Sequence, residues 1–124
     1  ADCAFISAQR VYTDEAKTQV DIQCSYKAAP SIEGKVLILV DPMLATGGSM
    51  FAAIEALKRN GTPKRIIIAN LVVAPEAIQA LQKWLPNHEQ IDVYCASLDR
   101  KLNEHQYILP GLGDAGDLCY GEKC

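Results

Sequence analysis

Lys35 to Met50, KVLILVDPMLATGGSM, constrains the fold more than any other stretch of the chain. An apolar run rich in Val, Ile and Leu without polar alternation predicts a strand over 35–40 that is buried on both faces. Asp41 stands at its end, Pro42 cannot donate to a ladder, and Gly47-Gly48 lets the backbone turn and approach another molecule. From Ser49 the period changes. Met50, Ile54 and Leu57 recur at helical spacing, Glu55 can pair with Arg59, and Asn60-Gly61 followed by Pro63 reads as a helix stop. Strand, glycine loop and helix in that order expose backbone N–H groups at a helix start, a setting suited to an anion such as phosphate.

The rest of the chain supplies a sheet for this unit. CAFISAQRVY and QVDIQCSYK, separated by TDEAKT, read as two strands or a strand pair. RIIIANLVV (65–73) predicts a second buried strand. Pro75 opens a helix on whose face Ile78, Leu81 and Leu85 fall, and Pro86 closes it. Trp84 is expected in the core of that helix. IDVYCAS (91–97) predicts a third strand. Strands alternating with helices imply an α/β fold with a mainly parallel sheet, and such sheets bind ligands beyond the carboxyl ends of their strands. After Ser97 the pattern stops, and the segment to Cys124 reads as glycine-rich loop.

A chain of 124 residues reads as one domain, residues 1–124, and at that size about two-thirds of the unfolded surface is buried. Ala1 is no initiator and a strand is under way almost at once, so the chain is expected to be a piece of a longer one. The net charge of −3 and the absence of any basic run longer than a doublet such as Lys58-Arg59 or Lys64-Arg65 argue against a nucleic-acid partner. No apolar run reaches the length of a membrane span, and the start lacks the layout of a signal peptide. The five cysteines form no C-x-x-C pair. Cys3, Cys24 and Cys95 are expected as small buried hydrophobes, and a reduced, cytoplasmic setting fits them.

Two motif readings fail. Gly111 to Gly116 matches G-x-G-x-x-G, but Pro110 precedes it and the chain ends eight residues later, where a dinucleotide fingerprint needs a strand before and a helix after. The Gly47-Gly48 loop has no Lys-Ser or Lys-Thr pair after it, so nucleotide hydrolysis has no support. Gly113 and Gly116 would instead let main-chain groups approach a flat ring, with Asp114 and Asp117 as further acceptors. His88 and His105 lie in polar segments and carry no assigned chemistry.

VDPMLATGGS (40–49) and YILPGLGDAGD (107–117) resemble, almost letter for letter, the two signature segments of the uracil phosphoribosyltransferase family. FISAQR, LVVAPEAIQAL and SLDRKLNEHQY resemble it at matching spacings, so the resemblance spans essentially the whole chain as the family's carboxyl-terminal portion. It implies a type I phosphoribosyltransferase fold that lacks its amino-terminal part. It also implies transfer of the phosphoribosyl group of phosphoribosyl pyrophosphate to uracil, giving UMP and pyrophosphate in pyrimidine salvage. A non-catalytic regulator binding UMP or the sugar pyrophosphate, and an inactive fragment, are the alternative readings.

By the same resemblance, Asp41, Pro42, Met43, Leu44, Ala45, Thr46, Gly47, Gly48 and Ser49 form the phosphoribosyl pyrophosphate loop, with Asp41 facing the ribose. The Ile108 carbonyl and the Gly113 and Ala115 amides take uracil. Asp114 contacts both substrates, through magnesium or its water, and Arg10 meets the pyrophosphate, so Asp114 and Arg10 are the implied catalytic groups. Magnesium is implied as a substrate-borne ion with no direct protein ligand, GTP as an activator, and a homo-oligomer, dimer or tetramer, as the assembly. The local alternatives stay open: Arg10 as a solvated surface residue, Asp114 and Asp117 as turn formers, and Tyr107 as a packed aromatic. Leu118-Cys119-Tyr120, where the family usually has an arginine and an aromatic, and Gln9 in place of a tyrosine, depart from the pattern.

Overall fold

The computed structural model describes residues 1–12, 20–85 and 90–122. The TDEAKT linker, Pro86, His88 and Cys124 lie outside them. The chain divides into two compact units, Ala1–Val36 with Gly48–Lys64, and Leu37–Gly47 with Arg65–Cys124.

In the first unit β1 (Phe5–Tyr12) and β2 (Val20–Ala28) pair antiparallel, with a bulge between Ser7 and Ala8. Helix α1 (Gly48–Lys58) lies against this hairpin and buries Met50, Ile54 and Leu57, the three positions that the helical spacing picks out. Ile32 joins that core. The helix stops where the sequence predicts, for a visible reason. Asn60 accepts from Lys27 Nζ at 2.8 Å, donates to the Ala29 carbonyl at 2.9 Å, and its own carbonyl takes the Ile32 N–H at 3.0 Å. Lys27 also reaches the orphan Ala56 carbonyl at 3.0 Å, a cation at the negative end of the helix. Glu55 pairs with Lys58, three residues on, in place of the expected Arg59.

The second unit is built on β5 (Arg65–Val73). The sequence places β3 (Val36–Val40) and β4 (Met43–Leu44) before it, and both pair with it, β4 in parallel register with Met43 opposite Val72. Strand β6 (Ile91–Leu98) also pairs parallel with β5. Helix α2 (Pro75–Trp84) begins with Pro75 as predicted and contributes Ala77 and Leu81 to a core that holds Ile66, Ile68, Val73, Ala74 and Leu85. Ile78 is half-buried and Trp84 is 40% exposed, so the tryptophan is not the core residue expected from the sequence.

Three further expectations change. Strand β3 is buried on neither face alike: Leu37 and Leu39 are half-buried while Ile38 is 59% and Val40 81% exposed. A local apolar run cannot distinguish a sheet face that is covered by its own chain from one that is not. Cys3 and Cys95 are exposed, and Cys24 is half-buried with its Sγ 3.9 Å from the Ala52 carbonyl oxygen. The segment after Ser97 is more than loop, since β7 (Lys101–Leu102) and β8 (Ile108–Leu109) form a short hairpin and α3 (Ala115–Tyr120) follows.

Candidate functional site

Asp41 begins the first loop, and the ladder breaks there for want of a donor. Its own N–H still bonds the Ala69 carbonyl at 3.1 Å. The next ladder donor, Leu71 N–H, is diverted with Val72 N–H to the carbonyl of Pro42, both at 3.1 Å. That leaves the Asp41 carbonyl to the side chain of Asn70, whose Nδ2 donates to it at 2.6 Å. Asn70 is 8% exposed, and its Oδ1 has no hydrogen-bond partner among the described residues. A buried amide in a strand of isoleucines and valines is costly, and here it replaces a missing ladder bond. The sequence reading passed over Asn70. Its signal was the one polar residue inside an otherwise apolar run.

The Asp41 carboxylate folds back on the loop, its Oδ1 accepting the Met43 N–H at 3.0 Å. Burial pushes its pKa up from the ordinary value, and the Met43 bond offsets part of that rise. Leu44 is buried opposite Val73, and the Ala74 N–H closes the turn on the Leu44 carbonyl at 2.9 Å. Gly47 has φ +83°, and a Cβ there would only touch the Ala77 carbonyl at 3.4 Å and Leu81 at 3.7 Å, so the left-handed backbone rather than the packing of α2 favours glycine here. Ala45 and Thr46 are partly open to solvent. Asp41 to Gly47 belong to the second unit; Gly48 and Ser49 are the first residues of α1, in the first.

The second segment is held by side chains that bond backbone amides. Asn103 Oδ1 accepts from His105 N and Tyr107 N, both at 2.9 Å, and shapes the hairpin turn. Glu76, in the first turn of α2, accepts the Leu102 N–H at 2.9 Å. That bond, its own N–H and, least, the charge of Lys101 hold the Glu76 carboxyl below its ordinary range. Asp99 takes the Gly111 N–H at 2.8 Å and the Ser97 hydroxyl at 2.6 Å. Gly111 has φ +60°, and a Cβ there would collide with the Ile108 carbonyl oxygen. Beyond it Gly113 is exposed, with open space where a side chain would be. Asp114 is the N-cap of α3 and accepts the Asp117 N–H at 3.1 Å. Asp117 is thus a first-turn helix residue. Ile108 is buried, Ala115 half-buried, and Tyr107 40% exposed, so the tyrosine is not the packed aromatic of the local reading.

The second unit therefore brings together Asp41 to Gly47 and Ile108 to Ala115 from the expected site. Arg10 lies in β1, in register with Ile22, in the first unit. Glu76 and Asp99 had no individual signal in the sequence, because each acts on an amide far along the chain, while Asn103 acts on amides only two and four residues on.

A family model described as uracil phosphoribosyltransferase matches residues 3–122. The chain belongs to the uracil phosphoribosyltransferase family. It is 48% identical over 120 residues to the uracil phosphoribosyltransferase of Porphyromonas gingivalis, covering 97% of this chain and 54% of that protein. To the one from Clostridioides difficile it is 51% identical over 114 residues, 91% of this chain and 52% of that one. A solved structure, the AQ2163 protein from Aquifex aeolicus, matches with a TM-score of 0.81 at 28% identity, over 95% of this chain and 52% of that one. The chain spans about half the length of the curated relatives that it matches. Both segments that carried the resemblance fall inside the family match. No helix among the described residues is long and apolar enough to cross a membrane.

Proposed function

We propose that residues 1–124 form a phosphoribosyltransferase domain that moves the phosphoribosyl group of phosphoribosyl pyrophosphate to uracil, giving UMP and pyrophosphate. One observation carries this reading: the Asp41–Gly47 loop and the Ile108–Ala115 loop stand in one unit, the first between a strand end and a helix start, the second with an open glycine face. The relatives' names supply the substrate.

In this reading Ala45, Thr46, Gly47, Gly48 and Ser49 hold the 5'-phosphate, chiefly by backbone N–H groups and the two hydroxyls, while Pro42, Met43 and Leu44 fix the path of the loop. Asp41 accepts from the ribose hydroxyls. The Ile108 carbonyl and the Gly113 and Ala115 amides hold uracil in its plane. The bond from the anomeric carbon to the pyrophosphate oxygen breaks, the bond from that carbon to the uracil nitrogen forms, and the nitrogen's proton leaves to solvent or to Asp114. The family resemblance assigns Arg10 to the departing negative charge. Alignment of base and sugar supplies a rate gain on the order of 7–11 kcal/mol when the reacting atoms are well oriented.

Asp41 and Asp114 are single carboxylates, and each already accepts a backbone N–H. That donor set suits the water shell of a magnesium ion carried by the sugar pyrophosphate better than direct ligation. A cytoplasmic location, a homo-oligomeric state and activation by GTP belong to the same reading.

The test is uracil-dependent pyrophosphate release with magnesium, with Asp114→Asn as control. Release that needs uracil and falls at least about tenfold in the variant is expected from the loss of a charged contact to substrate. UMP binding without release would overturn the reading in favour of a regulator.

A further inference from the structure

We propose that Asp99 is a positioning residue that registers the base loop against the phosphate loop. The proposal rests on the functional reading above for what the two loops bind, and on geometry for how they are joined. The route lies entirely within the second unit. Leu44, in the phosphate loop, pairs with Val73 at the end of β5, and the Leu44 carbonyl takes the Ala74 N–H. The Val73 carbonyl accepts the Asp99 N–H at 2.9 Å. The Asp99 side chain accepts the Gly111 N–H at 2.8 Å, two residues before Gly113, and the Arg100 N–H bonds the Leu109 carbonyl at 3.0 Å. One residue thus fastens the strand that fixes the phosphate loop with its amide and the base loop with its carboxylate.

The residue type matters as much as the place. Gly111 takes a left-handed φ of +60°, in a turn where the Ile108 carbonyl leaves no room for a side chain, and its N–H needs an acceptor, which Asp99 supplies. The Ser97 hydroxyl donates to Asp99 Oδ1 at 2.6 Å, which fixes the carboxylate plane so that Oδ2 meets Gly111. Asparagine can keep this arrangement, its Oδ1 toward Gly111 and its Nδ2 donating to Ser97 Oγ; alanine cannot. Glu76 on Leu102 secures the other strand of the hairpin independently, so removal of the Asp99 side chain loosens residues 110–113 without releasing β7.

The experiment compares the 124-residue chain with Asp99→Ala and Asp99→Asn. Amide exchange by NMR should show Gly111 protected in the wild type, exchanging about tenfold faster in Asp99→Ala and largely protected again in Asp99→Asn, in keeping with the loss of a charge-assisted hydrogen bond and its replacement by a neutral one. The KM for uracil should rise about tenfold in Asp99→Ala while the KM for phosphoribosyl pyrophosphate and kcat stay near wild type, the pattern of a lost uniform contact. Unchanged Gly111 exchange in Asp99→Ala overturns the proposal, and so does a rise of both KM values together, which marks general loosening. A wild type that releases no pyrophosphate refutes the functional reading instead, and the Gly111 exchange in the three proteins then decides the role of Asp99 alone.

Discussion

Asp41 is an acid drawn partly out of water, and its chemistry has a sign that a test can read. Its folded pKa is raised above the ordinary 3.8 by burial. A group of this kind contributes stability that is complete below the unfolded value and is lost as the pH rises through the folded one. Asp41→Asn keeps an acceptor for the Met43 N–H and removes the buried charge. Urea unfolding should therefore show the variant gaining on the wild type as the pH rises from below the ordinary 3.8 through the raised folded value. Pyrophosphate release should fall in the same variant, because a ribose acceptor has lost its charge. Gly111 is the opposite case, a residue with no chemistry of its own. Gly111→Ala forces a methyl group onto the Ile108 carbonyl at a positive φ, and a loss of at least about 2 kcal/mol in urea unfolding is expected.

At the scale of elements, what was legible in the sequence is what is local. Strand 36–40, helix 48–58 and the Pro75 helix start were readable because period, Asn60-Gly61 and proline act over a few residues. The hairpin β7–β8 and α3 were not. The hairpin depends on Asp99 meeting Gly111 and Glu76 meeting Leu102, contacts 12 and 26 residues apart, which leave no periodic trace, and α3 is a six-residue turn of helix too short to show a period. The same distance effect hid Asn70, which sits 29 residues from the carbonyl that it serves. The Glu76 clasp predicts a pH response of the reverse sign to that of Asp41. Its folded pKa is held below the ordinary 4.5, so its stability is present above that value and is lost as the pH falls through the folded one. The Leu102 amide should lose exchange protection in acid in the wild type, and Glu76→Gln should abolish that pH dependence while keeping an acceptor in place.

Across the whole molecule, the exposed apolar residues of the second unit are not scattered. The register set by the Asp41 N–H on Ala69 and continued by Met43 opposite Val72 places Val40 beside Ala69, and Ala69 in turn faces Tyr94 of β6. Val40, Ile38, Leu71 and Tyr94 are each more than half exposed. A run of this kind on one sheet is a surface that binds apolar probes. Ile38→Thr with Val40→Thr should cost less than about 1 kcal/mol, since exposed side chains lose little burial, and should lower native-state binding of an apolar dye. A loss several times larger in urea unfolding would mean that these side chains are covered.

Between Leu44 at the end of β4 and Gly48 at the start of α1 lie three residues, and Gly47 among them is buried with a left-handed φ of +83°. On the proposed reading, a phosphate that arrives there meets a short connection, with little chain left to freeze. Capture would then carry a favourable heat, little change in heat capacity, and a rate near that of simple encounter.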